Sequence, residues 1–150
     1  MCGILGIASK TEKFEETTII GLRDLMTHRG PDNGGIWLSD NKSIALAHRR
    51  LAIIDLNKES NQPFVDESTN NKIIFNGEIY NFLELRKDLE QLGYVFKTSS
   101  DTEVILLAYD AWGTECLERF IGMFAFCIFD VLRNQFFLAR DRAGEKPLFY

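Results

Sequence analysis

The stretch GMFAFCIFDVLRNQFFLARD (residues 122–141) carries the strongest signal for β structure in the chain. Apolar side chains occupy both sets of alternating positions in its first half: Phe124, Ala125, Phe126, Cys127, Ile128 and Phe129. Arg133-Asn134 then offers a turn into a second strand. Because both faces are apolar, the sequence predicts two antiparallel strands in a sheet that is covered by a layer on each side.

Working outward, segments 2–8, 36–40, 43–51, 72–77 and 94–98 read as further short strands. Segments 14–28, 81–93 and 102–113 show helical spacing, and the second of these would turn Leu85, Leu89 and Leu92 inward. The breaker-rich segment 28–35 predicts a loop, and 146–150 looks like the opening of another strand. Several antiparallel strands with three helices predict an α+β domain, its sheets sandwiched between helices.

The length, net charge and apolar runs of the chain limit the classes of protein to which it can belong. A chain of 150 residues predicts one domain, residues 1–150. The net charge of −5 is mixed in sign, which argues against a nucleic-acid or polybasic membrane surface. No apolar run approaches the roughly 18 to 20 residues that cross a bilayer, and no secretory signal opens the chain. We therefore expect a cytoplasmic protein without nucleic-acid or membrane partners.

The cysteines and histidines do not predict a metal site or a disulfide framework. The three cysteines, Cys2, Cys116 and Cys127, are odd in number, widely spaced and lack a C-x-x-C pair. His28 and His48 are too isolated to suggest a metal cluster. Cys116 and Cys127 are read as packing residues.

Cys2 admits two interpretations. It is either a small apolar residue on a first strand or, after removal of Met1, the first residue of the mature chain. In the second case its thiol lies beside a free α-amine, whose ordinary pKa of about 7.7–8.0 suits a general base near neutral pH. Such a thiol needs no separate histidine. Residue type and position alone leave both interpretations open.

Other polar residues are equally ambiguous when each is taken alone. Asn76-Gly77 is either a plain turn or a side-chain amide and an unhindered N–H that stabilise an oxyanion. An arginine of the Arg49-Arg50 pair either binds a substrate carboxylate or is a surface charge. Asp101 is either a helix N-cap or a partner for a substrate ammonium.

Seven motifs in order give the chain its resemblance: MCGILGI, HRGPD, LAHRRLAIIDL, FNGEIYN, SSDTEVIL, GMFAFCIFD and ARDRAGEKPLFY. Together they closely resemble the N-terminal glutaminase domain of glutamine-dependent asparagine synthetases, which are class II glutamine amidotransferases. The resemblance runs from residue 1 to residue 150. It implies the four-layer α/β/β/α sandwich of the N-terminal-nucleophile hydrolases, here without the last strands at the C-terminal end.

The resemblance implies a role for each matching residue. Cys2 corresponds to the nucleophile, with its own α-amine as base, and Asn76 and Gly77 correspond to the oxyanion hole. Arg50, rather than Arg49, corresponds to the clamp on the α-carboxylate of glutamine. The remaining substrate contacts it implies are Leu51, Ile53 and Ile54 along the pocket wall, with Glu78 and Asp101 at the α-ammonium. The motifs around HRGPD and RDRAGEKPL are read as structural.

The implied reaction is hydrolysis of L-glutamine to L-glutamate and ammonia through a γ-glutamyl thioester. In the family a C-terminal synthetase domain uses the ammonia and ATP to make asparagine from aspartate. No S-G-G-x-D-S pyrophosphate loop occurs in this sequence, so ATP and Mg²⁺ are expected only in that missing domain, and no cofactor in this chain. A homodimer remains open. Two alternatives also remain: the glutaminase half of an amidotransferase that acts on a sugar or another carboxylate, and a non-catalytic remnant.

Overall fold

The computed structural model describes residues 2–51 and 60–150, and these residues form two antiparallel sheets flanked by helices. The first sheet has the order β1-β3-β2, from β1 (Gly3–Ala8), β2 (Asn33–Leu38) and β3 (Ile44–Arg50). The second has the order β4-β5-β6-β7, from β4 (Phe64–Val65), β5 (Lys72–Ile79), β6 (Gly122–Asp130) and β7 (Gln135–Arg140). The helices are α1 (Glu16–Asp24), α2 (Phe82–Gln91) and α3 (Asp101–Trp112), and a 3₁₀ helix spans Gly113–Glu118.

Three apolar clusters define the layers. The first joins α1 to the outer face of the first sheet around Ile19, Ala45 and Ala47. The second fills the space between the sheets, with Leu46 from one side and Ile74, Cys127 and Phe129 from the other. The third and largest joins the second sheet to α2 and α3. The order is therefore helix, sheet, sheet, helices, which confirms the predicted four-layer α+β sandwich.

Strand β6 lies between β5 and β7 and takes part in two of these clusters. Phe124, Phe126 and Ile128 face the helices, while Cys127 and Phe129 face the first sheet. Phe126 is fully buried and contacts the rings of Phe120, Phe124 and Phe137 edge-on or stacked. The two-faced apolar pattern of residues 124–129 is thus confirmed as a strand covered on both sides.

The structure corrects several predicted boundaries. Strand β2 begins at Asn33, inside the predicted loop 28–35, because Gly34 and Gly35 pair with β3. Residues 94–98 are not a strand, since the backbone N–H groups of Lys97 and Thr98 donate to the Glu103 carboxylate instead of to a neighbouring strand. Residues 146–150 form no strand either. Helices α1 and α2 are shorter than predicted.

Two site-related predictions also change in detail. Leu85 and Leu89 face the core as predicted, but Leu92, the C-cap residue of α2, is 60% exposed because α2 ends before it. Asn76-Gly77 is not a turn, because both residues pair with β6 inside β5, which continues to Ile79.

Across the described ranges, no helix has the length and apolar character needed to cross a membrane.

Candidate active site

A small cavity opens where β1 begins and β3 ends, beside β5. Residues that line it come from both sheets, from the segments next to them and from the start of α3: Cys2, Arg50, Leu51, Ser60, Gln62, Phe75, Asn76, Gly77, Glu78, Ser100, Asp101, Thr102, Met123 and Lys146. The cavity therefore collects six of the residues that the sequence singles out for chemistry, together with Leu51. Ile53 and Ile54 lie outside the described residues.

Cys2 precedes β1 and is half-buried at this cavity. Its Sγ lies 3.5 Å from the backbone N of Leu51 and 3.8 Å from the Leu51 carbonyl oxygen. Its own carbonyl accepts a hydrogen bond from Nε of Arg29, at 3.1 Å. The thiol is therefore held at a defined place by the end of β3 and by the 28–32 segment. Cys116 and Cys127, by contrast, are buried in apolar surroundings, and burial raises the pKa of each thiol to about 12.

Arg50 and Arg49 end the same strand but face different surroundings. Arg50 is 9% exposed, lines the cavity and donates from Nη1 to Oδ1 of Asn61 at 2.7 Å. Arg49 turns to the other face of β3, where it donates to the carbonyl of Gly30 and pairs with Asp24. Of the two arginines, Arg50 is therefore the one that lines the cavity, together with Lys146.

The outer edge of β5 supplies backbone donors to the cavity. Strand β4 covers β5 only opposite Lys72 and Ile73. Beyond that point side chains take the place of a strand: Oε1 of Gln62 accepts from the N–H of Phe75 at 2.6 Å, and Oδ2 of Asp101 accepts from the N–H of Ile79 at 3.1 Å. In a strand alternate residues point the same way, so the N–H of Gly77 points to this edge between the two.

The pairing with β6 agrees with this direction. Phe124 lies opposite Gly77, and both of its backbone polar groups are bonded to Asp141 on the far side. Gly77 also has a steric reason to be glycine, since a Cβ at this position would overlap the carbonyl oxygen of Met123. The side chain of the preceding Asn76 is buried, lines the same cavity and has no hydrogen-bond partner among the described residues. One amide side chain and one backbone N–H therefore converge on the space beside Cys2.

Two carboxylates complete the cavity at the start of α3 and the end of β5. Asp101 is 5% exposed, and burial, opposed by hydrogen bonds from Ile79 and Thr102 and assisted by the charge of Glu78, raises the pKa of its carboxyl to about 6. The N-cap of α3 is Ser100, whose side chain accepts from the N–H of Thr102. Asp101 is thus not the cap residue and keeps its carboxylate at the cavity, where it favours a cationic ligand group.

Sequence reasoning missed three polar residues next to these groups. Arg29 lies in the HRGPD motif, which the sequence analysis reads as structural, and its side chain donates to the Cys2 carbonyl. Gln62 joins β5 to α3, because its Nε2 also donates to Oγ1 of Thr102 at 3.1 Å. His48 is fully buried and bonds to the carbonyl of Phe75. Nothing in the sequence pattern separates Gln62 from the other polar residues of its segment.

Comparison with known proteins agrees with the fold and identifies the family. The sequence model of a family described as a glutamine amidotransferase domain matches residues 1–150. Among solved structures, the glutamine phosphoribosylpyrophosphate amidotransferase of Bacillus subtilis, in complex with ADP and GMP, superposes with a TM-score of 0.74 at 25% identity, over 92% of this chain and 37% of that one. The family model and the fold thus define a glutamine amidotransferase domain with the fold of the N-terminal-nucleophile type.

Curated relatives narrow the assignment. The chain is 41% identical to a putative glutamine-hydrolysing asparagine synthetase of Methanocaldococcus jannaschii and 38% identical to a glutamine-hydrolysing asparagine synthetase of Bacillus subtilis, in both cases over 100% of its own length. It belongs to the glutamine amidotransferase domain family, in the form found in glutamine-hydrolysing asparagine synthetases. The resemblance drawn from the seven motifs is confirmed. The chain spans only 32% and 25% of the length of these two relatives.

Proposed function

We propose that this chain hydrolyses L-glutamine to L-glutamate and ammonia, with Cys2 as the nucleophile once Met1 is removed. The α-amine of Cys2 takes the thiol proton as Sγ attacks the side-chain amide carbon of glutamine. The tetrahedral intermediate then collapses: its C–N bond breaks and ammonia leaves with that proton. A water molecule hydrolyses the γ-glutamyl thioester that remains, which releases glutamate and restores the thiol.

The observation that carries this proposal is the convergence of three groups on one cavity. The Cys2 thiol, the buried Asn76 amide and the outward N–H of Gly77 all face the same space. Attack on an amide creates negative charge on its oxygen, and two preorganised donors beside the nucleophile stabilise that charge. Because the Asn76 amide has no hydrogen-bond partner among residues 2–51 and 60–150, it can donate to a substrate oxygen in this cavity.

Charged residues that line the same cavity support glutamine as the substrate. The α-carbon of free glutamine carries a carboxylate and an ammonium. Arg50 suits the carboxylate, and Glu78 and Asp101 suit the ammonium, with Leu51 and, in the proposal, Ile53 and Ile54 along the wall. This arrangement discriminates against simple amides, because they lack the α-carboxylate and the α-ammonium that these three side chains would bind.

For the ammonia we propose use in ATP-dependent formation of asparagine from aspartate, as the names of the relatives suggest. That reaction requires ATP and Mg²⁺ sites, which we assign to sequence other than residues 1–150. We further propose a cytoplasmic enzyme without metal in the glutaminase domain. Asparagine formed from aspartate, ATP and glutamine by the purified protein would support this acceptor, while glutamine hydrolysis without asparagine would point to another carboxylate or a sugar.

The glutaminase assignment is tested by intact mass of the purified protein, with and without a diazo-ketone analogue of glutamine. We expect loss of Met1 and a single covalent adduct, which peptide mapping places on Cys2. The Cys2→Ala variant should take up no analogue, while Cys116→Ala, the matched control, should take it up at the wild-type rate. A retained Met1 in active protein would overturn the mechanism, because the amine would then be part of a peptide bond.

A further inference from the structure

His48 lies at the junction of the two sheets, between the groups assigned to the reaction. It is on β3, two residues before Arg50, and its cross-strand neighbour in β1 is Ile4, two residues after Cys2. Its side chain is fully buried and crosses to the other sheet, where Nε2 lies 3.1 Å from the carbonyl oxygen of Phe75. Phe75 directly precedes Asn76 in β5.

The acceptor fixes the form of the ring. A carbonyl oxygen only accepts, so Nε2 must carry the proton that is donated to Phe75. The neutral ring then has an unprotonated Nδ1, and this nitrogen has no partner among the described residues. A buried acceptor without a donor is unfavourable for stability. A purely structural position between two sheets is better served by an apolar residue, as at Leu46 two positions earlier on the same face.

The hydrogen bond acts on the strand edge that carries the oxyanion donors. The N–H of Phe75 is held by Gln62, and its carbonyl is held by His48, so both polar groups of this residue are fixed. Both polar groups of Phe75 lie on the outer edge of β5. The next N–H along this edge is that of Gly77, two residues further on. His48 thereby links the strand that ends at Arg50 and Leu51, which contacts Cys2, to the strand that bears Asn76 and Gly77.

We propose that His48 is a positioning residue for the glutaminase reaction: its Nε2–H bond to the Phe75 carbonyl sets the distance between the Cys2 thiol and the donors on Asn76 and Gly77. The inference rests on the proposed function. It assigns His48 no proton transfer and no contact with glutamine.

Charge and burial favour a permanent bond rather than a titrating one. Burial lowers the pKa of His48 to about 4, the Phe75 hydrogen bond opposes this, and the charges of Arg50 and Arg49 add to it. The ring therefore stays neutral at the pH at which an α-amine acts as a base.

The test uses two variants of His48 in the purified protein. In His48→Gln the side-chain amide reaches the position of Nε2 and retains an N–H for Phe75, whereas in His48→Asn the amide is too short. We expect His48→Asn to lower kcat for glutamine hydrolysis about 10- to 100-fold, the range for a displaced reacting group or a weakened oxyanion donor, with KM nearly unchanged. His48→Gln should recover most of the lost rate.

Two controls separate positioning from stability. Alkylation of Cys2 by iodoacetamide forms no oxyanion, so its rate should be the same in wild type and His48→Asn. Leu46→Ala removes packing from the same layer and should lower the unfolding temperature without lowering kcat of the folded protein. Equal losses of hydrolysis and alkylation, equal kcat in the Asn and Gln variants, or wild-type kcat in a folded His48→Asn would each overturn the inference.

A measurement on the unmodified protein covers the case in which the variants do not fold. Long-range ¹H–¹⁵N spectra report the tautomer of each histidine, and His48 should carry its proton on Nε2 at neutral pH. A proton on Nδ1 would overturn the inference. Wild-type protein that neither hydrolyses glutamine nor forms the Cys2 adduct would instead count against the proposed function itself.

Discussion

The two sheets contribute to the cavity in different ways. The first sheet packs mainly aliphatic residues such as Leu46, and its site groups lie at strand ends: Cys2 precedes β1 and Arg50 ends β3. The second sheet is rich in buried phenylalanine, and its donors, Asn76 and Gly77, lie within β5, paired with β6. Groups at strand ends can be changed without disturbing a sheet, whereas groups within a strand take their precision from the core behind them.

The largest effect is expected from comparing one cysteine from each region. Cys2→Ala should abolish glutamine hydrolysis and leave the free energy of unfolding nearly unchanged, because the thiol is half-buried outside the strands. Cys127→Ala, between the sheets, should show the reverse: a loss of about 1 kcal/mol of stability with full activity. Steady-state kinetics and urea unfolding of both variants measure this. Residual turnover by Cys2→Ala at more than background level would contradict the assignment.

Next in size is the aromatic core behind β6. Phe126→Ala removes a fully buried ring that contacts three others and should lower the free energy of unfolding by about 3–5 kcal/mol. Urea unfolding followed by circular dichroism measures the change. Leu132→Ala, in the turn before β7 and 89% exposed, is the matched control and should stay within about 0.5 kcal/mol of wild type. Similar losses of unfolding free energy in both variants would show that the aromatic core behind β6 does not stabilise the second sheet.

The donors within β5 should give a smaller effect, confined to catalysis. Asn76→Ala removes one oxyanion donor and should lower kcat about 100- to 1000-fold, with little change in KM. Asn76→Asp keeps the shape but replaces the donor amide by a carboxylate, so its kcat should be at least as low. The free energy of unfolding of both variants should stay close to that of wild type, because the backbone pairing of residue 76 with Ala125 is preserved. Urea unfolding measured in parallel checks this. Wild-type kcat in Asn76→Ala would remove this residue from the oxyanion hole.

The smallest effect is a pH dependence at the ammonium end of the cavity. Burial raises the pKa of Asp101 to about 6, so the carboxyl is charged above about pH 6 and becomes neutral as the pH falls through that value. Glutamine binding to the Cys2→Ala variant should therefore weaken by up to about tenfold per pH unit below pH 6, as measured by calorimetry between about pH 8 and pH 5. The Asp101→Asn variant should bind weakly throughout, without this dependence.

The stability of the fold should respond to Asp101 with the opposite sign. Its folded pKa lies above the ordinary 3.8, so the folded state holds the proton more tightly than the unfolded chain does. The contribution of Asp101 to the free energy of unfolding therefore rises as the pH falls from about 6 to about 4. Comparison of wild type and Asp101→Asn over this range isolates it. A parallel fall of binding and of this contribution would contradict the raised pKa.

The sequence predicted all three strands of the first sheet and the central strands of the second, but not the two-residue edge strand β4 (Phe64–Val65). Residues 124–129 are apolar at every position, and this pattern identifies a strand covered on both faces wherever it occurs. Strand β2 was predicted too short because two glycines are read locally as breakers, yet Gly35 is needed where the Gln62 carbonyl packs against it. Such a requirement comes from a segment some 27 residues away and leaves no local signal.

The candidate site divides in the same way. Cys2, Arg50, Asn76, Gly77 and Asp101 were named from motifs, and the structure places them at one cavity. The Asn76-Gly77 pair was ambiguous because the sequence of a tight turn and that of a strand edge with an exposed N–H are the same. His48 and Gln62 act on the backbone of Phe75, and a side chain that bonds to a distant backbone group produces no spacing or periodicity to detect.

The shortness of β4 has a consequence for how the protein avoids unwanted association. An open strand edge attracts other chains, and proteins usually blunt it with charge, proline or a covering element. Here the edge of β5 beyond Ile73 is closed by one imidazole, one amide and one carboxylate, each from a different element. Between them, the N–H of Gly77 has no hydrogen-bond partner in the part of the chain that the structure describes. In the proposed reaction the substrate oxygen accepts a hydrogen bond from this N–H, in the place where the carbonyl of a neighbouring strand would otherwise bind.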